Sequence, residues 1–252
     1  MQSPVKHYQR EIHDNTGFFA TWLPNEPVEV GDIGRICEGR FRRSASLEDL
    51  GIAFEVAESR TEQALDYRST NGTKVTTKES IDGKGIGTAE VEIDFSHEGA
   101  FLFQASGLRV KRLRDSMGVG AQVVKAYEEG RWEKSWLVIE ALQRADVATI
   151  IVSQDVSAGL VLTAKMDEVL VDLSLADPRV NLSLKSQHGR MISFLSSKGP
   201  RPLYSCLRLA RSWPFASPSV RPVRGQIASA ADCPLCLVGV DELLAGTEAY
   251  EN

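Results

Sequence analysis

The sequence predicts an α+β protein made mostly of antiparallel strands, and three observations carry that reading. From Trp136 to Leu195, segment after segment alternates apolar and polar residues, the period of a half-buried strand. Turn residues separate these segments at short intervals, as in hairpins. Two longer stretches, after Ser3-Pro4 and after Asp115-Ser116, instead space their apolar residues as a helix does.

In chain order, Ser3-Pro4 is an N-cap and first-turn pair, and Val5, Tyr8, Ile12 and Phe19 follow at helical steps towards Asn15-Thr16-Gly17. Trp22 to Pro27 is an extended connector. Val28 to Ile33 and Gly39 to Arg43 form short strands around a turn at Gly34, and Ser46-Leu47-Glu48-Asp49 caps one helical turn stopped by Gly51. Ile52, Phe54 and Val56 share a strand face. Residues 59–90, rich in Thr, Ser, Lys and Gly, are a hairpin with a mobile tip or a disordered loop. Val91, Ile93 and Phe95, then Ala100 to Phe103 after His97-Glu98-Gly99, predict a hairpin. Asp115-Ser116 opens a helix through Val119, Val123 and Tyr127, with Gly130 past its end.

The plainest hairpin comes next. Val169, Val171, Leu173 and Leu175 occupy one strand face, Ala176-Asp177-Pro178-Arg179 turns the chain, and Val180, Leu182 and Leu184 return on the next. Such a pair has one apolar and one polar side, and the apolar side needs a cover: a core, a partner or lipid. A last strand runs from Leu203 to Leu209. Pro214, Pro218 and Pro222 forbid regular structure in 212–224, and a short helix is expected over Val240 to Ala245.

Composition is that of an ordinary globular chain, 42% hydrophobic and 25% charged. No apolar run approaches the roughly 20 residues of a membrane helix, and the first residues lack the apolar core of a signal peptide. Four cysteines do not staple a chain of 252 residues, which points to reduced thiols and the cytoplasm. A net charge of −5 argues against nucleic acid as a partner.

No catalytic set stands out. The four histidines are scattered, and there is no nucleophile elbow, no H-E-x-x-H and no paired carboxylates, so the expectation is a protein that is not an enzyme and has no cofactor. Asp82 to Gly87 is glycine-rich, but a strand follows where a phosphate loop needs a helix. Cys233 and Cys236 show half of a zinc site; packed as small apolar residues they need no metal. Charge says more. Residues 198–224 carry six basic and no acidic side chains, among them Arg208, Arg211, Arg221 and Arg224, whereas residues 225–252 carry five acidic and no basic ones. Arg109, Lys111, Arg112 and Arg114 form a second basic cluster, a candidate surface for anionic lipid head groups along with Arg208 and Arg211.

The order of features resembles a known family. Trp136-Leu137-Val138-Ile139-Glu140-Ala141-Leu142, followed by polar strands, resembles a strand of the gasdermin pore-forming domains. The alternating hairpin, Ser197-Lys198-Gly199-Pro200 and the strand from Leu203 to Leu209 follow in that family's order. Pro27-Val28-Glu29-Val30 through Arg42-Arg43-Ser44-Ala45-Ser46-Leu47-Glu48-Asp49-Leu50 looks similar to the early strands of short microbial gasdermins. The likeness covers about residues 5 to 210. It departs from microbial members that carry a lipidated cysteine near the start, since the first cysteine is Cys37, and the large mammalian inhibitory domain has no counterpart.

The resemblance implies a twisted antiparallel sheet with peripheral amphipathic helices over 1–210, a linker at 211–224 and an acidic tail at 225–252 that inhibits. It implies proteolysis near Arg211, Arg221 or Arg224, then assembly of many copies into a β-barrel pore in the inner or plasma membrane, causing cell death in antiviral defence. The membrane-inserting residues would be Val91, Ile93, Phe95, Phe101 and Phe103, with Val169, Val171, Leu173, Leu175, Val180, Leu182 and Leu184. Its partners would be anionic lipids, further copies of itself and a protease. The competing expectation is a non-enzymatic binding or adaptor module whose apolar faces form an ordinary core.

Overall fold

In the computed structural model, residues 4–21, 24, 27–37, 39–81, 87–166, 181–196, 199–211 and 235–239 are described. The elements are α1 (Pro4–Thr16), β1 (Phe19–Ala20), β2 (Asp32–Cys37), β3 (Arg40–Ser46), a 3-10 turn (Glu48–Leu50), β4 (Val56–Glu58), β5 (Gln63–Arg68), β6 (Thr73–Ile81) and β7 (Gly87–Phe95). There follow β8 (Phe101–Leu113), α2 (Ser116–Glu128), β9 (Leu137–Arg144), β10 (Val147–Ser153), β11 (Ala158–Met166), β12 (Asn181–His188), β13 (Met191–Ser196), β14 (Leu203–Arg211) and β15 (Leu235–Gly239). The pairs β2–β3, β2–β9, β4–β8, β5–β8, β6–β7, β7–β11, β8–β10, β10–β13, β11–β12 and β14–β15 are all antiparallel, so the α+β reading holds. The chain forms two compact units, one of Met1–Glu26, Ser59–Arg109 and Gln143–Leu203, the other of Pro27–Glu58, Val110–Leu142 and Tyr204–Asn252.

The first unit stacks a helix on a sheet on a second sheet. Strand β8 lies between β5 and β10, with β13 beyond β10. Alternation sends Phe101, Phe103 and Ala105, with Ala148, Ile150 and Val152 of β10, to one side, where Tyr8 and Ile12 of α1 cover them. The opposite side presents Leu102 and Ile151, directly paired across the ladder, to a four-stranded sheet in the order β12-β11-β7-β6. That sheet answers with Val91, Ile93, Phe95, Ala158, Leu160 and Leu162, none more than 2% exposed. Glu11 ties α1 to the β5–β6 turn: its carboxylate accepts from the Thr70 N–H at 2.7 Å, the Thr70 hydroxyl at 3.0 Å and the Tyr67 hydroxyl at 3.3 Å.

In the second unit, α2 starts on Asp115, whose carboxylate accepts from the Gly118 N–H at 2.8 Å, and ends before Gly130 at φ 72°. The 3-10 turn has the reciprocal cap its sequence predicts: Ser46 N–H donates to Asp49 at 2.8 Å and Asp49 N–H to the Ser46 hydroxyl at 3.2 Å. Strand β9 takes β2 through Ile33 and Val138, and β14 pairs with both β9 and β15.

Several expectations are corrected. Gly34 is no turn; it sits inside β2 at a register shift, pressed so close to the Arg42 carbonyl of β3 that a Cβ would not fit, and the strands instead close at the Cys37–Arg40 pair, with Gly39 at φ 76°. Of the two readings of residues 59–90 the hairpin holds and the loop does not: β5 is followed by β6, whose threonines and other polar residues ladder onto β7 while little of β6 needs burial. Ile52 is buried but Val56 is 42% exposed, so they do not share a covered face. Strands β7 and β8 are not a hairpin. Gly99, at φ 83°, turns the chain from one sheet into the other, so the Val91, Ile93, Phe95 row and the Phe101, Phe103 row lie in different cores. Finally, Leu182 and Leu184 pair with Ala164 and Leu162 of β11, while Val169 to Leu175, expected as their hairpin partner, lie outside the described residues. Two alternating segments were available upstream of β12, and a period of two does not choose between them.

Candidate membrane-active strands

The four-stranded sheet is the element on which the functional reading turns. Its registers set the inner row as Val75 on β6, Val91, Ile93 and Phe95 on β7, Ala158, Leu160 and Leu162 on β11, and Leu184 on β12. The outer row is Lys74, Thr76 and Lys78, then Glu90, Glu92 and Asp94, then Val161 and Thr163, then Lys185. Lys74 stands opposite Asp94 and Lys78 opposite Glu90, and the Lys78 ammonium reaches Glu92 at 3.1 Å. An acidic column with basic neighbours therefore faces away from the core. These exposed pairs contribute only some tenths of a kcal/mol each.

The cover of the inner row is internal to this unit. Leu102 of β8 and Ile151 of β10, both fully buried, lie over it. The tail's described strand, β15, adds to β14, with Arg208 opposite Val238 and Arg211 opposite Leu235. Towards β12 the cover thins, and Leu184 is 37% exposed. Of the other hairpin candidates, Phe101 and Phe103 are fully buried under α1, where Tyr8 meets Phe101 edge-on at 4.9 Å between ring centres. Val169, Val171, Leu173, Leu175 and Val180 lie outside the described residues, as do Arg221, Arg224, Cys233 and the expected helix at 240–245; Leu182 and Cys236 are placed only by their registers.

The basic candidates are divided. Arg109 is held by Glu62 and Asp146, hydrogen bonds that push its guanidinium still further into the charged form. Arg114 pairs with Glu55 at 3.0 Å. Alternation along β8 puts Lys111, opposite Glu58, and Arg112, opposite Ala57, on different faces. Sequence reading missed another basic surface. In the β2–β3 hairpin Arg35 stands directly opposite Arg42, and Cys37 opposite Arg40, so three arginines share one face around an exposed thiol. The signal was there as alternation: Arg35, Cys37, then Arg40 and Arg42. Glu133 binds Arg35.

Chemistry beyond this is sparse among the described residues. No three His, Cys, Asp or Glu side chains converge as a metal site. Ser157 and His188 meet across the β11–β12 end at 3.4 Å, a long contact between exposed side chains that sequence spacing gave no reason to pair. Burial pushes the Cys206 thiol far up, with Glu140 adding to the effect, which leaves it without nucleophilic character. No helix of the described residues is long and apolar enough to cross a membrane.

No protein-family profile matches the sequence. No curated protein matches it either. Among solved structures, the chain is similar to a cryo-EM structure of the gasdermin A3 membrane pore, with a TM-score of 0.36 and 10% identity over 87% of this chain and 98% of the other.

Proposed function

We propose that this chain is a pore-forming protein whose four-stranded sheet is its membrane element. The observation that carries the proposal is the two-sided character of β7, continued in register by its neighbours. Strands β6, β7 and β11 are each nine residues long; on β7 the apolar Val91, Ile93 and Phe95 alternate with Glu90, Glu92 and Asp94, β11 adds Leu160 and Leu162 to the apolar side, and β6 adds Val75 there and Lys74 and Lys78 to the other. About 9–11 residues is the length with which a tilted strand crosses a bilayer, and a barrel wall needs one apolar and one polar face. In a closed barrel every backbone N–H and C=O is satisfied by a neighbouring strand, so such strands can leave the core without stranding polar groups in lipid. Glu90, Glu92, Asp94 and the lysines beside them would face the aqueous lumen. The arginine face of β2–β3 supplies positive charge for anionic head groups. The tail, 225–252, is the restraint, and a cut within 211–224 is the release; the product causes cell death as a defence.

The test is leakage of dye from phosphatidylglycerol-containing liposomes by a chain ending near residue 224, against the full chain. Leakage by the shortened chain alone is expected; no leakage from either overturns the proposal. A second reading is favoured by Leu102 and Ile151, which already cover the inner row: a binding module with a permanent core. It predicts that the shortened chain stays monodisperse and inert towards liposomes.

A further inference from the structure

Two turns meet at one end of the four-stranded sheet: residues 154–157, between β10 and β11, and Gly189-Arg190, between β12 and β13. The Gln154 N–H donates to the Arg190 carbonyl at 2.9 Å, and Asp155 accepts from the Arg190 N–H at 2.8 Å and from its guanidinium at 2.9 Å. Gly189, at φ 71°, lies so close to the Ser157 carbonyl that a Cβ would not fit. The backbones that carry Ser157 and His188 are therefore fixed against each other, as a reacting pair of side chains requires. On this frame the Ser157 hydroxyl meets His188 Nε2 at 3.4 Å. The other ring nitrogen lies by Gly159, which stands opposite His188 of β12 on one side and Asp94 of β7 on the other. A Cβ on Gly159 would be 3.0 Å from His188 Nδ1 and 3.0 Å from Asp94 Oδ1. The glycine thus leaves open the space between imidazole and carboxylate, and rotation of the exposed His188 side chain closes it. Hydroxyl, Nε2, Nδ1 and carboxylate follow one another in the order of a Ser-His-Asp acyl-transfer set, whose contacts are commonly long before substrate binds.

We propose that Ser157 and His188, positioned by Asp94, form a hydrolytic site for small carboxylic esters. Asp94 holds the ring proton on Nδ1, which leaves a lone pair on Nε2 for the hydroxyl proton. As Ser157 Oγ bonds to the ester carbonyl carbon, its proton passes to Nε2. The bond from that carbon to the alcohol oxygen then breaks, and the alcohol leaves with the proton from Nε2. Water attacks the acyl-serine in the same manner, giving its proton to Nε2; the carbon–Oγ bond breaks, Oγ recovers the proton, and the carboxylic acid departs. The site lies open on the outer face of the sheet, and Val156 beside Ser157 in the chain is 74% exposed. Short acyl groups with good leaving groups therefore suit it better than long chains that need an enclosed slot. Spacing in the sequence hid the set, because the three residues sit on separate strands or turns and only the ladders to Gly159 bring them together. This activity is independent of membrane insertion.

The experiment uses the full chain with p-nitrophenyl acetate as substrate and a fluorophosphonate as a covalent label. Hydrolysis above the background of free imidazole and a label mapped to Ser157 are expected. Ser157→Ala and His188→Gln should each lower the rate by about 100-fold, the low end of what general-base assistance contributes. Asp94→Asn should lower kcat and leave KM unchanged, since it alters the tautomer of His188 and touches no substrate. Gly159→Ala puts a Cβ 2.5 Å from His188 Cε1, so it should displace the ring and lower the rate with all three side chains still present. Asp94→Asn, which keeps the side chain's size, decides the matter if Gly159→Ala fails to fold. No hydrolysis above background, or no label at Ser157, overturns the proposal. So does a rate that survives Ser157→Ala but is lost in His188→Gln, because the imidazole would then attack the ester alone. A kcat unchanged in Asp94→Asn overturns the three-residue set.

Discussion

Replacing Ile93 and Leu184 in turn by alanine tests whether the inner row of the four-stranded sheet is covered as described. Ile93 has no solvent exposure and lies in the register between Val75 of β6 and Leu160 of β11, in the cluster that includes Leu102 and Ile151. Ile93→Ala removes three carbon groups at about 0.8 kcal/mol each, or about 2.4 kcal/mol of transfer free energy. The neighbours come from four strands in two sheets and cannot all close in, so a residual cavity raises the cost to about 4 kcal/mol. Leu184 points to the same side from the edge strand β12 but is 37% exposed. Only about three-fifths of the transfer term applies there, about 1.5 kcal/mol, with no enclosed cavity to add. Guanidinium unfolding followed by circular dichroism should separate the two variants by about 2.5 kcal/mol. Equal costs, or less than about 1 kcal/mol for Ile93→Ala, would refute the covered-row description. Under the pore reading the same Ile93 variant should also leak liposomes faster once shortened, because leaving the core costs less.

Two other outcomes are expected. Asp155 accepts from the Arg190 guanidinium at 2.9 Å and from the Arg190 N–H at 2.8 Å, and these bonds, the side-chain one foremost, hold its carboxyl below the usual range. A depressed carboxylate stabilises the fold above its unfolded pKa, about 3.9, and the contribution fades as pH falls through the lower folded value. Asp155→Asn should thus unfold more easily than the parent at pH 6, with the gap in midpoint closing below about pH 4; a gap unchanged down to pH 2 would contradict the Arg190 contact. Cys37 is exposed and Cys206 buried, so peptide mapping after brief treatment with a thiol reagent should find Cys37 modified and Cys206 intact until denaturant is added. Modification of Cys206 in the native chain would mean that β14 opens.

Local chemistry was the legible part of this sequence. Pro4 with the Tyr8 and Ile12 spacing, Asp115 before α2, Gly130 after it and the Ser46–Asp49 cap each act within a few residues, and each appears where the residues place it. Strand existence was legible wherever an apolar row repeats, as in Val91, Ile93 and Phe95. Partners were not. Nothing within Val91 to Phe103 says that Gly99 turns the chain into another sheet, because both hairpin and corner need a glycine with positive φ. Nor could alternation alone give Leu184 its partner Leu162, since any strand of the right phase satisfies it. Strand β6 was one of two alternatives for its stretch because its side chains are polar on both faces over much of its length, and the ladder to β7 is made by the backbone. The basic cluster after β8 was read from proximity in sequence, which ignores the pleat that separates Lys111 from Arg112 and the carboxylates waiting for Arg109 and Arg114.

The order in which β7 acquires its neighbours matters before the protein is ever finished. Its hairpin partner β6 emerges first, but Leu160, which lies beside Ile93 in the ladder, is 67 residues further along. At synthesis rates of about 5–20 residues per second, the Val91, Ile93 and Phe95 row is out of the ribosome for roughly 3–13 seconds before β11 exists to pair with it. Ile151, which roofs the row, arrives only slightly sooner. A nascent chain with that ribbon uncovered is at its most vulnerable to binding the nearest lipid surface or another chain in the same state. Slowing translation between residues 95 and 160 should therefore lower the soluble yield, and the row that serves as a core in the finished fold is first a hazard of its own biogenesis.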